Sequence, residues 1–491
     1  MKLRAIACFM AFSGLVGSAA ADEIEELRAQ IRALSARLDR LQAERERAPQ
    51  RADSLPAGER KTGSVDAAVP PPPSLPGAWQ IPGTDTAIKV FGYAKLDIYD
   101  DIRGANANGS TMNFGTIAID GTPQAKRRNQ FAMTARQSRL GVETLTPTAW
   151  GPLKTLIEAD FQGAGSTSLE THSATMRLRH LYGQWGAVMA GQNWTNFFDI
   201  GMAPETVEFN GPVGVANGLR QPQLRYTWPV GAGGSFSVAA ENAAGDFFGA
   251  DLVSLGTNST SLTNRTLNRF PDLTGRYSYQ APWGRLTAAA VVRNIAVDTG
   301  GATQTFQGPN GSFGFRGKTE AWGGGISLAA QFLTVGKDSF TVQLLGGPGI
   351  GRYLMQPLDN AAAIAIAPNG LSNANTGDSF VLDQGGRFHA VPAWGANVWY
   401  RHYWSDNLRS TVTYGVTEKD FPMIYLPPNM ARRQQSFYLN LIWSPLPQTN
   451  FGLEYIWGRV DLEGQTAANR ALGYGSSGTM SRLQAGLQYK F

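Results

Sequence analysis

The chain has one cysteine and four histidines among its 491 residues. Cys8 lies in the apolar N-terminal stretch, so the remainder carries neither a disulfide nor a thiol nucleophile. His172, His180, His389 and His402 show no metal-ligand spacing, and no recognisable serine motif accompanies them. Gly323-Gly324-Gly325 and Gly346-Gly347 fall within or beside strand-like segments instead of ahead of a helix, which removes a phosphate loop. Neither a chemical step nor a cofactor is therefore expected. Charged residues make up only 16% of the chain and the net charge is +5, too mild to suggest nucleic-acid binding from bulk charge. Past the N-terminus no segment approaches the ~18 consecutive apolar residues of a membrane-spanning helix.

Glycine (57 residues) and aromatics (10%) are plentiful. At the N-terminus, Lys2 and Arg4 precede an apolar run from Ala5 to Val16 and the small residues Ala19-Ala20-Ala21. This is the pattern of a secretory signal peptide over 1–21, cut before Asp22. Losing its two bases lowers the net charge from +5 to +3. At the other end, MSRLQAGLQYKF (480–491) alternates Leu483, Ala485, Leu487, Tyr489 and Phe491 against Arg482, Gln484, Gln488 and Lys490. A period-2 strand ending on phenylalanine resembles the closing strand of bacterial outer-membrane barrels.

Residues 22–47 form a different module. Ile24, Leu27, Ile31, Leu34, Leu38 and Leu41 recur at alternating spacings of 3 and 4, a heptad seam flanked by Glu and Arg. An isolated helix of this length is marginal in water, so the seam asks for partner helices. Ile at a with Leu at d nominally favours two strands, so the heptad argues for self-association but not for three chains. Residues 48–86 read as a Pro-rich linker, with VPPPPSLPG (69–77) stiffened toward polyproline II.

From Ala87 onward the period is 2. PQLRYTWP (222–229) sets Leu224, Tyr226 and Trp228 against Gln223, Arg225 and Thr227, and NFGLEYIWG (450–458) sets Phe451, Leu453, Tyr455 and Trp457 against Glu454. About sixteen such segments follow one another, an even number as bacterial single-chain barrels require. A soluble sandwich or a propeller would not explain ionised groups opposite large aromatics, nor Trp and Tyr gathered toward strand ends. The fold class expected is all-β: a sixteen-stranded antiparallel transmembrane β-barrel over 87–491, with an N-terminal α-helical coiled-coil extension.

RQSRLGVET (136–144), TPTAWGPLKTLIEADF (146–161), TMRLRHLYGQ (175–184), AGQNW (190–194), PETVEFNGPVG (204–214) and RQPQLRYTW (220–228) together resemble the DcaP-like outer-membrane porins. The resemblance is close through the first five or six strands and looser in the C-terminal half. It implies a homotrimeric channel for small dicarboxylates in the outer membrane of a Gram-negative bacterium. Lipid and lipopolysaccharide would surround the barrel, and the coiled coil would project into the periplasm. The segment 194–221 is long for a turn, and in porins the third extracellular loop falls here and folds into the lumen.

On that barrel Arg139 and Glu143 share a face opposite Leu140 and Val142, while Arg177 and Arg179 share one opposite Leu178 and Tyr182. His180 would alternate with Tyr182 on the outer face. A guanidinium facing lipid costs about 2–4 kcal/mol near the midplane, so Arg139, Arg177, Arg179, Arg220 and Arg225 are expected to line the water-filled constriction. The facing of Arg136 is ambiguous. Arginine suits carboxylate solutes because its planar fork binds them bidentately. Lumen acids offer a second role, in which the arginines balance Glu143, Glu158 and Asp160 while Glu205 and Glu208 tether the loop. KRR (126–128) reads as a solvated loop cluster that could also attract anions or lipopolysaccharide phosphates.

Overall fold

Gly, Asn and Pro punctuate the alternating stretches, and a stretch of period 2 presents one face to each side of a sheet. The computed structural model describes residues 75–491, except 105–110, 164–171, 217, 244–265, 268, 302, 309–310, 355–378, 384 and 421–428. The signal segment, the heptad helix and most of the linker lie outside the described residues.

The alternating stretches form strands β1 (Ala87–Arg103), β2 (Gln130–Thr134 continued by Arg139–Thr146), β3 (Leu153–Asp160), β4 (Arg177–Trp185), β5 (Val188–Trp194) and β6 (Arg220–Val230). Next come β7 (Gly234–Glu241), β8 (Asp272–Ala281), β9 (Gly284–Asp298), β10 (Lys318–Leu333) and β11 (Ser339–Pro348). The wall is completed by β12 (Pro392–Ser405), β13 (Leu408–Lys419), β14 (Ala431–Trp443), β15 (Thr449–Leu462) and β16 (Ser477–Lys490). Each pairs antiparallel with its neighbour, and β16 returns to β1 from Tyr93↔Lys490 to Arg103↔Ser481. The sixteen-stranded sheet therefore closes, leaving no edge that lipid would have to satisfy. At the closure Phe491 and Gly92 exchange both backbone hydrogen bonds. Within the end of the linker, Trp79–Gln80 pairs with Ala87 and Ile88, so the chain doubles back on the start of β1.

The connections at one end are short, such as 186–187, 282–283 and 406–407, while the other end carries the long loops. In this barrel class the short turns lie on the periplasmic side. Trp150, Trp185, Trp283, Trp404 and Trp443 are exposed near the short-turn end, and Phe131, Trp322 and Trp394 near the long-loop end. Between these two belts the outward positions are apolar: Ile157, Leu224, Ile326, Leu344, Leu439 and Leu453 are all exposed. Tryptophan rings favour the boundary between acyl chains and headgroups, so the bands mark the membrane's two surfaces. Leu344→Arg, at the middle of β11, should cost about 2–4 kcal/mol in reversible unfolding from lipid. Leu344→Ala should cost a small fraction of that, and equal costs would remove β11 from the lipid face.

The lumen is partly filled. Met112, Phe114, Ile117 and Ile119, from the loop after β1, pack against Tyr438, Ile456, Val460 and Met480 on the inner wall. Ile350, Tyr353 and Leu354, after β11, pack against Phe197, Phe198 and Ala216 of the segment joining β5 to β6. That joining segment, residues 195–219, crosses the barrel.

Candidate functional site

The crossing segment is fixed at several points. Asp199 accepts from Arg285 (3.0 and 2.6 Å) and Thr287 (2.9 Å) on β9. Glu205 receives a fork from Arg409 (2.8 and 2.6 Å) on β13 and lies 3.5 Å from Arg401 on β12. Glu454 on β15 accepts the backbone N–H groups of Val207 (2.9 Å) and Glu208 (2.8 Å). Glu208 accepts from Met112 N (2.9 Å) and Gly211 N (2.8 Å), joining the first loop to the third. A Cβ at Gly452 would run into Val207, so glycine lets the segment sit flat on the wall.

Burial alone would raise the Glu205 carboxyl, but the Arg409 hydrogen bonds and the Arg409 and Arg401 charges hold it below the usual glutamate value. Asp199 behaves likewise, burial being outweighed by Arg276, Arg285 and Thr287. Glu208 is pushed up by burial, which its backbone donors only partly offset. For a depressed acid the stabilisation is complete above the unfolded value of about 4.3 and is lost as pH falls through the lower folded value. The Glu205 tether should therefore hold at neutral pH and fail only in stronger acid. Arg409→Gln should give, at pH 7, the channel noise that wild type shows only in stronger acid. A quiet variant would show that the tether does not hold the loop.

Opposite the segment, β2, β4 and β6 present a group of guanidiniums. Arg177 forks onto Asp160 (2.9 and 2.7 Å), and Arg179 bridges Glu158 (2.6 Å) and Asp160 (2.8 Å). Arg139 lies 3.3 Å from Glu158 and over the Tyr93 ring. Arg220 stacks at 5.1 Å on Trp194 and forms no ion pair or hydrogen bond among the described residues; its Nη1 is buried without a partner. Phe209, from the crossing segment, faces Arg177 and Arg179 at 5.6 and 5.4 Å. A cavity of about 480 Å³ lies between the two sides, bounded by these four arginines, Lys95 and the 203–212 backbone. Four guanidiniums stand there, three of which share Glu158 and Asp160; Glu205 and Glu208 also border the cavity but are engaged by Arg409 and by backbone N–H groups. Lys95 is held by Asp97 (3.0 Å), Gln137 and the Val207 carbonyl.

Of the residues singled out from sequence, Arg139, Arg177, Arg179 and Arg220 meet at this cavity, and Glu205 and Glu208 hold the crossing segment beside it. Two others lie elsewhere. Arg225 donates to Gln223 Oε1 and to the Trp194 carbonyl and does not border the cavity. Arg136 binds the carbonyls of Phe161 (3.3 Å) and Gly163 (2.8 Å), tying the break in β2 to the end of β3.

The facing of β4 also differs from simple alternation. His180, expected outside, is buried in the lumen wall edge-on to Trp194 at 5.0 Å, and Tyr182 is half-buried. The register slips between Glu158 and Ala159: Glu158 pairs with His180 but Ala159 with Leu178, leaving Arg179 unmatched. This β-bulge lets Arg179 and His180 both avoid lipid and moves Leu181 to the exposed face. Lys95 was legible as a polar-face residue of β1. Phe209, Trp194 and Arg409 carried no local signal, because their contacts are set by a loop conformation.

A closed sixteen-stranded barrel with belts of tryptophan outside and a loop folded across a charged lumen defines an outer-membrane porin, a channel and not an enzyme. Residues 78–315 of the chain match the family model described as DcaP outer membrane protein. Its fold is similar to the outer-membrane channel DcaP of Acinetobacter baumannii, with a TM-score of 0.63 and 20% identity, covering 84% of this chain and 100% of that one. It is 28% identical over 295 residues to Porin Omp2b of Brucella neotomae, 54% of this chain and 72% of that protein. Against Porin Omp2b of Brucella suis it is 27% identical over 45% of this chain and 54% of that protein.

Proposed function

We infer that the protein mediates passive diffusion of small organic anions through the arginine-lined constriction, with dicarboxylates preferred, and that it works as a homotrimer. The observation that carries this reading is Arg220, a guanidinium at the cavity with no acid partner among the described residues. Arg139, Arg177 and Arg179 already share Glu158 and Asp160, and Glu205 at the cavity is matched by Arg409 and Arg401, so positive charge is in excess around Arg220. A carboxylate solute entering it exchanges part of its hydration for forked hydrogen bonds. The second carboxylate of a short diacid can reach Arg139 or Arg177 without disturbing their own acids, because each guanidinium has five donors. Residues 22–86 are read as a periplasmic extension that assists assembly.

A weakly selective diffusion porin on the same barrel is the alternative, favoured by the acids that partly neutralise Arg139, Arg177 and Arg179. Reversal potentials in a KCl gradient across planar bilayers, with and without succinate, separate the two. Anion selectivity with transient succinate interruptions supports the first reading. Cation selectivity without interruptions would sink it.

A further inference from the structure

Arg220, Trp194, Arg179, Phe209 and Arg177 follow one another as an alternation of guanidiniums and rings. Arg220 lies over the Trp194 indole at 5.1 Å, and Arg179 meets the same indole at 5.6 Å. Arg179 and Arg177 in turn lie 5.4 and 5.6 Å from the Phe209 ring. Three like charges on β4 and β6 are thus parted by two rings, whose electron-rich faces attract cations. Arg179, flanked by both rings, borders the cavity and yet is only 2% exposed.

The two rings are held differently. Trp194 ends β5 and belongs to the wall: its carbonyl accepts from Gln223 and Arg225, and His180 and Phe198 pack edge-on against its indole. Phe209 comes from the crossing segment, and its neighbours do the anchoring. The Val207 side chain fills a notch at Gly452 and Gly486, paired residues of β15 and β16 where a Cβ would collide with it. The Val207 N–H reaches Glu454 at 2.9 Å, and its carbonyl takes the Lys95 ammonium at 2.7 Å. Asn210 donates to the Met112 carbonyl at 2.8 Å. The ring is therefore presented to the arginines by a backbone fixed on either side of it.

Arg179 spends two of its five donors, one on Glu158 and one on Asp160, so others remain. We propose that Phe209 is a specificity-determining residue of the constriction, its ring closing Arg179 off from the permeating solute. The proposal rests on the anion-channel reading above. A carboxylate then meets Arg220, Arg139 and the open side of Arg177, and is held weakly enough to leave. Uncovering Arg179 would add a further guanidinium to the site and slow the exit of the anion.

Single-channel recording in planar bilayers with succinate tests this. Phe209→Ala should lengthen each succinate interruption about tenfold, the lower end of what a hydrogen bond to a charged group contributes. Arg220→Gln alone should lose most interruptions. Combining Phe209→Ala with Arg220→Gln should bring them back, because Arg179 is then open. Phe209→Leu with Arg220→Gln keeps a bulky cover and should stay free of interruptions. Their absence from the alanine double variant, or their equal return with leucine, would overturn the cover. A noisier open channel in Phe209→Ala would do so too, since the ring would then be an anchor of the segment. Wild type without interruptions would remove the anion-channel reading itself, whereas failure of the double variant beside an interrupted wild type removes only the cover.

Discussion

Replacing Arg220 with glutamine should remove most of the succinate interaction and move the reversal potential in a salt gradient toward zero. Arg220 forms no ion pair or hydrogen bond among the described residues, and its Nη1 is buried without a partner. Hydrogen bonds to a charged group contribute about 1.5–3 kcal/mol, so succinate affinity should fall roughly ten- to a hundredfold. Arg220→Lys should keep anion selectivity, which follows charge, but lose much of the affinity, which follows the fork. Arg177→Gln should behave differently, because it strips a bidentate partner from fully buried Asp160. Its main symptom should be reduced stability. Equal succinate affinities in wild type and Arg220→Gln would place the binding site elsewhere.

Glu454→Ala should have the largest effect on the pore itself. One carboxylate accepts Val207 N, Glu208 N and the Asn440 amide (3.0 Å), and it is 0% exposed. Three buried donors would lose their acceptor at about 1–3 kcal/mol each, less whatever entering water recovers. The middle of the crossing segment should come away from β15, giving higher and noisier conductance and a lower temperature of barrel unfolding. Glu454→Gln keeps one carbonyl acceptor and should lie between alanine and wild type. Anion preference should persist in both, since the arginines stand on the opposite wall. Unchanged conductance and noise in the alanine variant would show that the other tethers suffice.

The barrel wall was legible because lipid imposes a strict rule: outward positions must be apolar, so the period-2 signal survives in strands such as β6 and β15. A long connection between two strands was legible from length, 194–221 against an observed 195–219, whereas its inward fold was only what the resemblance to porins implied. The inward folding of the first loop and of the segment after β11 was not. Phe114, Ile117, Ile350 and Tyr353 sit among glycines and asparagines without period, and their partners lie far away in sequence. Site residues on regular strands, Arg139 and Arg177, were readable from alternation. Arg220 was not: it shares parity with exposed Leu224 and Tyr226, yet it turns inward at the strand's first residue. The different places of Arg225 and Arg220 along one strand emerge only once the crossing segment divides the lumen.

The extra residue in β4 has a consequence for how such a wall can vary. An insertion in a two-sided strand ordinarily reverses every side chain beyond it, exposing charge to acyl chains. Here Leu178 and Leu181 remain outside on either side of the irregularity, so the reversal is contained within one turn of the pleat. The wall thereby houses two consecutive inward polar residues, Arg179 and His180. Deleting Arg179 outright should thus be milder for membrane insertion than deleting Leu181. A barrel of this kind can change the chemistry of its throat by adding or dropping one residue, while its outer skin keeps the same pattern.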